Sequence, residues 1–135
     1  MTGTRALVAY AAAAVVMFAI DMVWLRGIAM GWYQQGIGHL MAPQAKLWAA
    51  ALFYLVYPAG LVLLAVTPGM AAESIGRTAL LAAAFGFFAY ATYDLTNLAT
   101  LKDWPVSLAV ADMAWGTLAS AVAASAAHWA ASRIG

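Results

Sequence analysis

Four long apolar runs divide this 135-residue chain: Ala6 to Leu25, Leu47 to Val66, Thr78 to Leu95 and Val106 to Ala131. Each is near or above the roughly 20 residues that cross about 30 Å of hydrocarbon as a helix. Strands would leave backbone groups unpaired in lipid, and a closed barrel needs an alternation of polar residues that these runs lack. The pattern predicts an all-α polytopic membrane protein, a bundle of four transmembrane helices at about 6–25, 47–66, 78–97 and 106–131. All four fit one integral membrane domain over 1–135, with no room for a separate soluble one.

The first run resembles a signal peptide in having Arg5 before an alanine-rich core. It ends, however, in Asp21-Met22-Val23-Trp24-Leu25 instead of a small-residue cleavage site, and reads as a retained helix. Four helices put both termini and the second loop on one side, face A, and the other two loops on face B. The first loop, about Arg26 to Gln44, mixes Gly27, Gly31, Trp32, Tyr33, Gly36, Gly38 and His39 with few charges. It fits a short interfacial segment, where Trp and Tyr settle, acting either as a plain connector or as a lid over a site. The second loop, Thr67-Pro68-Gly69 through Arg77, reads as a turn, and Pro105 stands near the first turn of the last helix.

Composition sharpens the class. Hydrophobic residues make up 67% of the chain and charged ones 8%, against about 25% charged in soluble domains. A net charge of +1 offers no basic surface, so no nucleic-acid partner is expected. The absence of cysteine excludes disulfides, thiolate metal sites and thiol nucleophiles. Arg5, Arg77 and Arg133 on face A balance Arg26, Lys46 and Lys102 on face B, so positive charge assigns no orientation.

Three aspartates interrupt the apolar runs: Asp21, Asp94 and Asp112. Asp21 precedes Arg26 by five residues, Asp94 precedes Lys102 by eight and Asp112 follows Pro105 by seven. These offsets place all three roughly 7–12 Å inside face B, on three different helices. An ionised aspartate at mid-membrane costs roughly 2.5–3.5 kcal/mol on insertion scales and must face protein, water or a partner. At least one is expected to hold a proton or to meet a cation, with Arg26, Lys46 and Lys102 as available counter-charges.

Other polar groups share their helix faces. Gly86, Phe87, Tyr90, Asp94 and Asn97 form one stripe, and Tyr54 and Tyr57 stack a turn apart before Pro58, where a kink is expected. Asp112, Gly116, Ser120, Ala124 and His128 make a small-residue seam suited to close helix packing. Asp21-x-x-Trp24 and Asp112-x-x-Trp115 each set an acid and an indole on one side of a turn. The candidate ligand-binding set is therefore Asp21, Asp94, Asp112, Tyr90, Asn97, Tyr54, Tyr57, Trp24 and Trp115. The same residues could instead lock the packing of the bundle.

Several chemistries are disfavoured. His39 lies toward face B and Ser120, Ser125 and Ser132 toward face A, so no serine–histidine pair is suggested. The two histidines lie near opposite faces and cannot clamp one haem. An Asp21–Asp94–Asp112 oxygen site for a hard cation has no motif behind it, so no metal and no cofactor are assigned.

The chain resembles the uncharacterised bacterial membrane family known as domain of unknown function 2177. The likeness runs through Asp21-x-x-Trp24-Leu25, Tyr33-x-x-x-Ile37-Gly38 and Phe53-Tyr54-x-x-Tyr57-x-x-Gly60-Leu61. It continues through Gly86-x-x-x-Tyr90-Ala91-Thr92-Tyr93-Asp94-Leu95-Thr96-Asn97, then Trp104-Pro105 and Asp112-x-x-Trp115-Gly116. The resemblance implies a small, four-helix, multi-pass protein of the bacterial inner membrane. It lends no catalytic residue.

Three functions compete on this reading. The first is binding or processing of a small amphiphile or lipid at the carboxylate/tyrosine site, where an enzyme would pair a protonated with an ionised aspartate. The second is a non-catalytic accessory or assembly subunit of a larger membrane complex. The third is a proton-coupled transporter working as a homodimer. Expected partners are accordingly the lipid bilayer, a small amphiphilic ligand, and further copies or subunits.

Overall fold

The computed structural model describes residues 1–134. Among them, four helical stretches are long and apolar enough to cross a membrane: Gly3–Leu40, Leu47–Ala71, Ile75–Thr100 and Val106–Ser132. The first is not the short helix expected at 6–25. It runs as α1 (Gly3–Met22), a π-helical segment (Val23–Ala29), α2 (Met30–Ile37) and a closing 3-10 turn (Gly38–Leu40). Residues expected to form the first loop are therefore mostly helical, because nothing from Arg26 to Ile37 breaks a helix beyond isolated glycines.

The second stretch comprises α3 (Leu47–Leu61), a π segment (Val62–Val66) and α4 (Thr67–Ala71). Helix α3 continues through Pro58. The widening falls ahead of Pro68, whose ring would clash with the carbonyl four residues earlier, and Thr67 N–H instead reaches Val62 O. The expected turn beginning at Thr67 is thus displaced to Ala72–Ser74, where Glu73 takes a φ of 52°. Ser74 then caps α5 (Ile75–Thr100), its hydroxyl accepting from Arg77 N–H at 3.1 Å. Helix α6 (Val106–Ser132) follows Pro105.

Small residues draw these helices together. Ala9, Ala13, Met17 and Asp21 recur every four residues along α1 and are buried against α6. Thr78, Ala82 and Gly86 do the same on α5, which packs on α6 with Gly86 at Gly116 and Ser120 and Thr78 at His128. A Cβ added to Gly86 would strike the Gly116 carbonyl and Ser120. The glycine is what lets the two backbones meet, so that van der Waals packing can hold them where lipid supplies no hydrophobic drive. At the face A end Gly69 abuts Thr78, and Thr78 Oγ1 lies 2.7 Å from His128 Nδ1.

Helix α3 is the loose member. It leans chiefly on α1, and the backbone closes on α5 only beyond Leu61. Leu47 through Phe53 are all exposed, which leaves a gap between α3 and α5 toward face B.

Candidate functional site

The three acids mark the site, but they are not equivalent. All are buried, with 6% exposure at Asp21, 0% at Asp94 and 8% at Asp112. Asp21 accepts from two helices: Tyr54 OH reaches Oδ2 at 2.7 Å and Trp115 Nε1 reaches Oδ1 at 2.8 Å. One carboxyl group thus ties α1, α3 and α6 together. Asp112 Oδ1 accepts from Tyr33 OH at 2.8 Å, fastening α2 to α6. Asp94 lies beside Asp112 and Trp104, yet neither of its oxygens is hydrogen-bonded, nor is Trp104 Nε1. Asp112 is the middle member, facing both other acids.

Asp21 also lies deeper than its distance from Arg26 suggests, since Arg26 does not end the helix. Its partner Trp115 stands ten residues beyond Pro105, roughly 15 Å down α6. Arg26, Lys46 and Lys102 are exposed and do not supply the expected counter-charges. On the face B surface His39 Nε2 lies 3.0 Å from Asp103 Oδ2. No three His, Asp or Glu side chains among the described residues are grouped closely enough to share one metal ion.

Asp21 and Asp112 look into a chamber of about 180 Å³. Its walls are aromatic: Trp24, Tyr33, Phe53, Tyr54, Tyr90 and Trp115. Trp24 and Trp115 stack with ring centres 4.8 Å apart and planes 5° from parallel, fixing the indole wall. Trp24 Nε1 is buried without a partner. Tyr90 stands against Gly116, where a Cβ would fall within its ring. A second cavity of about 300 Å³ shares Phe53, Tyr90 and Asp112 with the chamber and adds Ala89 and Tyr93. It occupies the gap that the splayed α3 leaves beside α5 and adjoins the chamber through those shared residues.

Of the candidate residues, Asp21, Asp112, Tyr54, Tyr90, Trp24 and Trp115 share the chamber. Asp94 sits behind Asp112, off the wall. Tyr57 is turned away, its hydroxyl 2.6 Å from Ser120 Oγ. Asn97 lines neither cavity and lies near Tyr93 instead.

Tyr33 was missed, and the π segment explains why. At roughly 100° per α residue, twelve steps from Asp21 would leave Tyr33 about a third of a turn off its face. With seven steps at roughly 80°, they come to about three full turns and return it to the same side. The extra width, which no residue in Val23–Ala29 advertises, is what aims Tyr33 at Asp112.

A family model described as "Predicted membrane protein (DUF2177)" matches residues 6–129. The chain belongs to this family. No curated protein and no solved structure matches it. Membership in DUF2177 agrees with the four membrane-crossing helices and makes the chain a multi-pass membrane protein. It assigns no reaction, so the chemistry has to be read from the chamber.

Proposed function

We propose that this DUF2177 protein resides in the bacterial inner membrane and binds a small amphiphile, its polar end in the aspartate chamber and its tail in the cleft between α3 and α5. The observation that carries this reading is the joining of a polar, aromatic-walled chamber to an apolar cleft through shared residues Phe53, Tyr90 and Asp112. The two spaces suit the two ends of one molecule. The chamber alone, at about 180 Å³, falls below the roughly 300–1,000 Å³ of sites that enclose a whole ligand. Chamber and cleft together fall within that range.

Two polar groups support a ligand over a packing role. Both Asp112 and Tyr90 line the chamber; Tyr33 takes only one oxygen of Asp112, and the Tyr90 hydroxyl has no hydrogen-bond partner among the described residues. A bundle stapled only for stability gains nothing from leaving such a group unpaired.

The test is lipid retention. Protein extracted in mild detergent is analysed by mass spectrometry as wild type, Asp112→Asn, Ala89→Trp and Asp94→Asn. A bound amphiphile is expected in wild type and in Asp94→Asn, and is lost when Asp112 is neutralised or Ala89 fills the cleft. Equal retention in all four would overturn the proposal.

A further inference from the structure

The chemistry of the chamber narrows the ligand's polar end. Two carboxylic acids, Asp21 and Asp112, face it and a third, Asp94, backs it, while no lysine or arginine lines it. The rest of the wall is aromatic, and ring faces attract cations through their quadrupoles. Asp112 is more than nine-tenths buried, and Tyr33 occupies only one of its oxygens. Acids with aromatic faces and no resident cation are the combination that selects a positive group and repels phosphate, sulfate or carboxylate.

We infer that the chamber takes the ammonium head of a cationic amphiphile, held between Asp112 and the indole and phenol rings, with its alkyl tail in the α3–α5 cleft. This rests on the amphiphile reading above and deepens it. Asp21 serves chiefly as scaffold, since both its oxygens are occupied by Tyr54 and Trp115. Asp112 contacts the ammonium.

The experiment keeps the tail constant and changes the head. Protein in nanodiscs of phosphatidylglycerol, which carries no amine, is titrated with dodecyltrimethylammonium, dodecanol, dodecyl phosphate and dodecylphosphocholine. Binding is read from tryptophan fluorescence, because Trp24 and Trp115 form the wall. Dodecyltrimethylammonium is expected to bind at least about tenfold tighter than dodecanol, with dodecyl phosphate weakest. Dodecylphosphocholine matching the simple ammonium would assign the head to a zwitterionic lipid, and weaker binding would assign it to a lone amine.

Asp112→Asn, which keeps an acceptor for Tyr33, should erase the ammonium preference while leaving dodecanol within about threefold. Asp21→Asn is the second variant and should reduce that preference less. Saturable dodecanol binding that equals or exceeds ammonium binding sinks the ammonium head and leaves the amphiphile reading standing. No saturable binding by any dodecyl compound sinks both.

Discussion

Replacing Tyr54 by Phe isolates the bond that joins α3 to the site. The ring would keep its edge contacts with Phe18 at 5.2 Å and Phe53 at 5.0 Å, so only the hydroxyl is lost. Two magnitudes bracket the outcome. Hydrogen bonds between membrane helices average about 0.6 kcal/mol, because the unfolded chain in lipid finds other partners. Leaving a buried acceptor without its donor costs about 1–3 kcal/mol. Asp21 is 6% exposed and accepts from Tyr54 at 2.7 Å, so little water can replace the lost donor and the larger figure should apply.

Tyr10→Phe supplies the internal standard. Its hydroxyl donates to the Leu55 carbonyl at 2.6 Å in an exposed setting, and it should cost only about 0.6 kcal/mol. Unfolding in mixed micelles with increasing dodecyl sulfate would measure both. A Tyr54→Phe loss of at least about 1.5 kcal/mol, clearly above Tyr10→Phe, is the expected result. Equal losses for the two variants would refute the clamped Asp21. A double cycle with Asp21→Asn should show coupling of similar size.

Other variants separate the remaining parts. Asp94→Asn, which removes an ionisable group that has no donor, should leave unfolding within about 0.5 kcal/mol of wild type or stabilise it. A loss above about 1.5 kcal/mol would mean that Asp94 has a partner. Gly116→Ala should cost about 1–3 kcal/mol and weaken amphiphile binding, because the added methyl displaces the Tyr90 ring. Gly69→Ala, at the opposite face, should cost as much by pushing Thr78 from His128 yet leave binding affinity unchanged in the folded fraction. Asp103→Asn, which breaks the exposed pair with His39, should change stability by less than about 1 kcal/mol in the same assay.

The membrane class and the four spans were legible because hydrocarbon permits few backbone solutions, and twenty-residue apolar runs announce one of them. The convergence of Asp21 and Asp112 was legible too. Each is followed three residues later by Trp, and on antiparallel helices these pairs meet, with Trp24 stacked on Trp115 and Trp115 bonded to Asp21. Less visible were features that depend on backbone register. The π segment hid Tyr33 by changing its phase, and the same continuation of the helix made Arg26 a false marker of the membrane boundary. Tyr57 packs its ring on Phe53 and Tyr90 yet sends its hydroxyl to Ser120, and Asn97 lines neither cavity, since periodicity fixes a side of a helix and leaves open which group it meets.

The most direct measurement is where an amphiphile's tail lies. A dodecyl ammonium compound with a photoreactive diazirine midway along its chain would be irradiated with the protein in nanodiscs, and its adducts mapped by peptide mass spectrometry. A tail in the cleft predicts labelling of Phe53, Ala89 and Tyr93 that excess unlabelled dodecyltrimethylammonium removes. Labelling spread over Leu7, Leu80 and Trp129 on the outer surfaces, undiminished by competitor, would contradict it.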